Sequence, residues 1–258
     1  MENVERQQNY TIMEGHDLPS EGKVYEGVKV NPHIELRSMT ARDEMKRLGS
    51  SSTEFKTLAD IIESCMIEKP AIHVYDMTLA DYEYLLHKLR VITYGHDYKM
   101  VVKCNHCNEV FEHVANLDLL MVKDFDQAVF DELQTFVLPD NGDTIKIKPQ
   151  TPRILDEIVA RNRASKKQAK QAEMDFTTLY QLKFAIDEVN GIKQDPITLE
   201  SYINRLSGKD MMKILNNLDK INRCYGIDNT IFVDCPECGG EIETFFRLGQ
   251  EFFRPTTI

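Results

Sequence analysis

Apolar positions along this chain repeat mostly at helical spacing, and β-like runs interrupt the helical stretches. The first 31 residues have few periodic apolar positions and hold Gly15, Pro19, Gly22 and Gly27. Residues 1–31 therefore read as an extended or disordered arm, able to order on a partner. A short strand is expected over residues 33–37. Thr40 then caps a helix whose first turn carries Asp43 and Glu44, favourable beside the positive helix end. Over residues 54–66, Phe55, Leu58, Ile61, Ile62 and Cys65 share one face at i, i+3, i+4 spacing. Thr78 opens a third helix, with Asp81 three residues on as an acidic capping-box partner. Its stripe is Tyr82, Leu85, Leu86, Leu89 and Ile92, and Gly95 stops it.

Two β-like runs, 98–103 and 110–117, follow directly. Residues 118–133 are apolar-rich and predict a helix. Short extended runs at 133–139 and 144–149 flank Asp140-Asn141-Gly142-Asp143, and Asn-Gly between β-runs signals a hairpin. Thr151-Pro152 supplies a cap and an N1 proline. The next helix is expected over 176–189, with its stripe at Leu179, Leu182, Ile186 and Val189. Thr198 starts a short helix. Ser207 with Asp210 starts the last, whose stripe is Met211, Ile214, Leu215, Leu218 and Ile221, ending at Gly226. A second pair of β-like runs, 230–234 and 241–248, closes the pattern.

These elements predict an α+β fold. Its expected divisions are the arm (1–31), N-terminal helices with a first hairpin (32–117), an inserted mainly helical domain (118–226) and a second hairpin with a tail (227–258). At 258 residues and 42% apolar, the chain can bury a sizeable core. No apolar run approaches the ~18 residues of a membrane span. The opening Met1-Glu2-Asn3-Val4-Glu5 is polar and acidic, unlike a secretory leader, which points to a reducing, cytosolic setting. A net charge of −11 argues against general nucleic-acid binding, which needs a basic surface to displace counterions.

Chemistry concentrates in the two hairpins. Each pair of β-like runs encloses a Cys-x-x-Cys: Cys104-Asn105-His106-Cys107 and Cys235-Pro236-Glu237-Cys238-Gly239-Gly240. Four thiolates from two such knuckles match the tetrahedral demand of one structural zinc ion, and a fourth protein ligand leaves no open position for catalysis. A metal-wrapping turn calls for a left-handed residue after its second Cys. Gly239 adopts that conformation freely, and Asn108 is among the few others that tolerate it. The competing readings are two disulfides, two independent sites, or redox thiols. The reducing setting disfavours the first, and the β-like flanks disfavour the last. His106 and His113 flank the first knuckle as substitute ligands, while Cys65 and Cys224 read as buried apolar residues. Nucleotide-binding, hydrolase and metalloprotease motifs are missing. His33-Ile34-Glu35 matches a zinc-deaminase fragment, but Asp234 stands where that signature needs proline. Arg161, Arg163, Lys166, Lys167 and Lys170 read as a solvated helix face, since no aromatic residue interleaves them to stack on bases.

A further pattern lies in the order of short motifs. Met39-Thr40-Ala41-Arg42-Asp43-Glu44 comes first, then Leu85-Leu86-His87-Lys88-Leu89-Arg90-Val91-Ile92-Thr93-Tyr94-Gly95 before the first knuckle. Leu138-Pro139-Asp140-Asn141-Gly142 precedes the Thr-Pro helix start, and Phe252-Phe253-Arg254-Pro255 follows the second knuckle. In this order the chain resembles the baseplate hub family of T-even-like contractile-tailed bacteriophages. The resemblance implies a non-enzymatic tail baseplate hub subunit or hub assembly factor without a small-molecule substrate or membrane attachment. Its partners would be other phage tail and baseplate proteins, met in the host cytoplasm during assembly or in the virion tail. The alternative is a zinc-ribbon protein that binds nucleic acid or serves transcription.

Overall fold

The computed structural model describes residues 11–49, 53–168, 176–246 and 248–253. From residue 11 onward the expected arm is instead part of the fold. Strand β1 (Met13–Asp17) pairs antiparallel with β2 (His33–Arg37), in the register Met13 to Arg37 and Asp17 to His33. Between them, Leu18 and Val30 are buried in the N-terminal core. Ser20 is also buried; its N–H and hydroxyl donate to the Asp81 carboxylate at 3.0 and 2.5 Å. The Tyr25 hydroxyl donates to the same carboxylate at 2.5 Å. The sequence hides this segment because β1 has mostly exposed side chains and is held by its backbone and a distant partner. Residues 1–10 lie outside the described residues.

Helix α1 (Ala41–Leu48) starts at Thr40, whose N–H donates to Asp43 Oδ2 at 2.9 Å. Arg37 also donates to that carboxylate, tying α1 to β2. Next come α2 (Glu54–Cys65) and α3 (Leu79–Tyr94), the latter ended by Gly95 at φ 82°. The apolar stripes of α2 and α3 meet over β2, and Leu36, Leu58, Ile62, Tyr82, Leu85 and Leu89 form the centre of this first core. Asp81 does not close a capping box on Thr78, because Ser20 and Tyr25 take its oxygens.

Arg90 lies buried on the other face of α3 and donates to the carbonyls of Phe252, Gly95 and Asp97 at 3.1, 2.8 and 3.3 Å. It thereby fastens the C-terminal segment to the start of strand β3 (Asp97–Lys103), which forms a hairpin with β4 (Val110–Asn116).

Residues 118–133 do not form one helix. Strand β5 (Val122–Lys123) comes first, and α4 (Gln127–Gln134) begins where Asp126 accepts from the N–H groups of Ala128 and Val129. Strands β6 (Thr135–Val137) and β7 (Thr144–Ile147) form the expected hairpin, with Gly142 at φ 77°. Helix α5 (Pro152–Gln168) packs back onto the N-terminal part; Asp156 accepts from the Tyr75 hydroxyl at 2.9 Å, and Arg153 pairs with Asp76. Arg161 in α5 pairs with Glu157 and lies over the Phe184 ring.

The helix expected over 176–189 is split. Helix α6 (Thr177–Ala185) stops, and β8 (Ile186–Val189) joins β7 as the third strand of a small sheet. Leu182, Ile186 and Val189 are all buried, so i, i+3, i+4 spacing was satisfied by a helix end and a strand start. Helix α7 (Pro196–Ile203) begins earlier than expected because Asp195, not Thr198, caps it. Helix α8 (Gly208–Arg223) starts at Ser207 as read. A second core gathers Phe130, Leu138, Ile145, Leu182, Ile214 and Leu218, which Ala80 of α3 and Val24 reach from the N-terminal part. The chain leaves through β9 (Gly226–Ile227), paired with β5, into the hairpin of β10 (Thr230–Asp234) and β11 (Glu241–Phe245). The fold is thus mixed helix and small antiparallel sheets.

Candidate metal centre

The two Cys-x-x-Cys turns have the same local geometry. In the first, Cys104 N–H donates to Glu109 O at 2.8 Å and Asn108 N–H to Cys104 O at 3.1 Å. In the second, Cys235 N–H donates to Gly240 O at 2.9 Å and Gly239 N–H to Cys235 O at 2.9 Å. Asn108 sits at φ 64° and Gly239 at φ 67°, the left-handed conformation expected of both. The turns face each other at the ends of their hairpins. Val102 and Ile242 are buried between them beside Cys104 and Cys235.

The four Sγ atoms of Cys104, Cys107, Cys235 and Cys238 lie within 4.8 Å of one another. Cys104 and Cys238 are 3.7 Å apart, and Cys107 and Cys235 3.6 Å. A disulfide requires about 2.05 Å. A tetrahedron with metal–sulfur bonds of ~2.3 Å requires ~3.8 Å between sulfurs. The observed spacing is that of a site able to hold a metal ion, not of disulfides. Cys104 and Cys235 are buried and Cys107 and Cys238 exposed, so the cluster opens on one side to the surface.

The electrostatics point the same way. Backbone N–H groups of Cys107 and His106 favour the Cys104 thiolate and hold its pKa down to about 6. The Glu109 N–H favours the Cys107 thiolate too, but desolvation and the thiols of Cys238, Cys104 and Cys235 outweigh it and push Cys107 up to about 12. Four sulfurs this close cannot all carry charge without a cation among them.

His106 does not turn to the cluster; its Nε2 lies 3.2 Å from Glu241 O and bridges the hairpins. His113 lines a groove beside β4. Cys65 is buried in the first core, where burial pushes its thiol up to about 11, and Cys224 Sγ donates to Ile221 O. His33 pairs with Asp17 on the β1–β2 hairpin. The only cluster of three or more candidate ligands among the described residues is therefore the four-cysteine one. Asp81, buried on three hydrogen bonds, is a residue the sequence reading misplaced, and its i, i+3 relation to Thr78 gave no hint of partners 56 and 61 positions away.

No helix among the described residues is long and apolar enough to cross a membrane. No curated protein and no solved structure matches the chain. The family described as T4 bacteriophage base plate protein matches residues 11–254, nearly the whole length, and the chain belongs to that family.

Proposed function

We infer that this base plate protein is a hub subunit or hub assembly factor that works without catalysis, through contacts with other tail and base plate proteins. The observation that carries the reading is the family match across residues 11–254. The motif order from Met39 to Pro255 adds the hub assignment by resemblance. Assembly then takes place in the host cytoplasm, and a subunit, unlike an assembly factor, stays in the virion tail.

Cys104, Cys107, Cys235 and Cys238 would hold one structural zinc ion. A bound ion supplies cross-linking rather than reactivity, because four protein sulfurs complete its coordination. It would join hairpins separated by the 127 residues between Cys107 and Cys235. Closing so long a loop costs entropy that grows only slowly with length, while zinc binding in peptide models is worth about 10 kcal/mol or more. The clasp would fix the second core against the first, and so fix the protein's contact surfaces relative to one another.

The test is co-purification of the full chain with each base plate protein of the same phage, beside mass spectrometry of purified particles. Binding to central base plate proteins is the expected result. Binding only to tail-tube or head proteins would refute the hub assignment. Presence in particles would identify a subunit, and absence an assembly factor.

A further inference from the structure

A groove of about 780 Å³ lies between β4 and β10. Val114 (52% exposed), Leu119 (78%), Met121 (73%) and Phe232 (63%) line it with apolar surface. Both bordering strands are sheet edges among the described residues, where β4 pairs only with β3 and β10 only with β11.

Register shows which peptide groups those edges present. In an antiparallel hairpin, residue pairs that exchange hydrogen bonds alternate with pairs that do not. Cys104 N–H donates to Glu109 O and Leu117 N–H to His96 O, which makes 98·115, 100·113 and 102·111 the bonded pairs. The peptides of Glu112 and Val114 therefore face away from β3. Likewise Cys235 N–H to Gly240 O and Phe246 N–H to Asn229 O turn the Phe232 peptide away from β11. No turn or loop bond among the described residues takes up the peptide groups of Val114 or Phe232. Exposed edges with free peptide groups and apolar side chains are templates for an added strand.

Charge selects the occupant. Residues 104–122 and 226–246 together hold eight carboxylates, two histidines and no Lys or Arg. Glu243 lines the groove, as does Asp228, which Lys123 pairs at 2.8 Å. A second copy would bring its own Asp228 and Glu243 against these. Residues 254–258, Arg-Pro-Thr-Thr-Ile, do not alternate apolar with basic positions, and their proline has no N–H to donate.

We propose that this groove receives an extended segment of a partner protein, added as a strand on the β4 or β10 edge. The segment has apolar residues at alternate positions and Lys or Arg at the others. At ~3.3 Å per residue, four or five residues span the edge from Glu112 to Asn116. The proposal rests on the base plate reading only for the partner's identity.

The experiment uses the full chain with its metal retained. The probes are twelve-residue peptides tiled across the base plate proteins of the same phage, with a synthetic alternating Lys–Val peptide and its Glu–Val counterpart. Fluorescence anisotropy reads binding, and amide hydrogen exchange reads its place. Basic alternating peptides should bind at least tenfold more tightly than the Glu–Val peptide and slow exchange at Val114 or Phe232. N-methylation of alternate peptide amides should abolish binding. Phe232→Asp and Met121→Asp should each weaken it at least tenfold, with metal content and melting temperature unchanged. Peptides insensitive to N-methylation, protection confined to other elements, or a self-association that Phe232→Asp abolishes would each overturn the proposal. Binding of the Lys–Val peptide at the groove with no base plate peptide bound would support the groove and refute the hub reading. A base plate protein that binds wild type, Phe232→Asp and Met121→Asp alike would do the reverse.

Discussion

Tyr25→Phe isolates one of the contacts that fasten the N-terminal segment to the body of the fold. The hydroxyl donates to the buried Asp81 carboxylate and accepts weakly from Thr78 N–H at 3.4 Å. Phenylalanine keeps the ring and leaves no cavity, so the loss is confined to polar bonds. A hydrogen bond to a charged group contributes about 1.5–3 kcal/mol. Taking ~2 kcal/mol, the melting temperature of a chain this size should fall by roughly 4–8 °C. The loss should depend on pH. Burial raises the Asp81 carboxyl above its ordinary range, against the opposing bonds from Ser20 and Tyr25. With its folded pKa raised, Asp81 contributes stability that is fully present below the unfolded value of about 3.9 and lost as pH rises through the folded value. Removing the Tyr25 hydroxyl raises the folded value further. The gap between mutant and wild type should therefore widen between about pH 4.5 and about pH 8. Thermal unfolding followed by circular dichroism at both pH values measures it, and hydrogen exchange over residues 11–31 localises it. A shift below ~1 °C at both pH values, or a gap larger at acidic pH, would refute the account of Asp81 as a buried anchor.

Arg90→Lys should lower stability by about 3 kcal/mol, read from urea midpoints, because an ammonium cannot reach the three carbonyls that the guanidinium bridges. Gly239→Ala should cost about 1–2 kcal/mol through its left-handed backbone alone, since an added Cβ there meets nothing within 4 Å. Gly239→Asn should cost less, as Asn108 holds the equivalent place; equal melting temperatures for Ala and wild type would contradict this. Removing residues 1–31 should leave little folded protein by gel filtration. It withdraws the buried Leu18 and Val30, each worth about 1.5–3 kcal/mol, and the strand that pairs with β2, from a fold of typically 5–15 kcal/mol.

Much of this structure can be read from residues acting locally. Thr40, Gly95 and Ser207 mark helix ends where they stand, and the stripes of α2, α3 and α8 face the cores that their spacing implies. Asn108 and Gly239 announce the knuckles for the same local reason. What escaped depends on partners distant in sequence. Strand β1 has no apolar alternation and exists because β2 pairs with it. Strand β8 exists because β7 offers an edge, although Leu182, Ile186 and Val189 also suit a helix. Asp81 looks like a capping residue until Ser20 and Tyr25 are brought to it. The convergence of the four sulfurs was the one long-range feature the sequence disclosed, because metal chemistry constrains ligand type and spacing in a way that apolar packing does not.

X-ray absorption at the zinc edge, with metal content per chain measured on the same full-length protein purified without added metal, tests the clasp most directly. The account predicts one zinc per chain with four sulfur neighbours at about 2.3 Å, and loss of that ion in Cys235→Ser. Metal-free protein with an unchanged melting curve would contradict it, as would a nitrogen or oxygen neighbour in the fourth position.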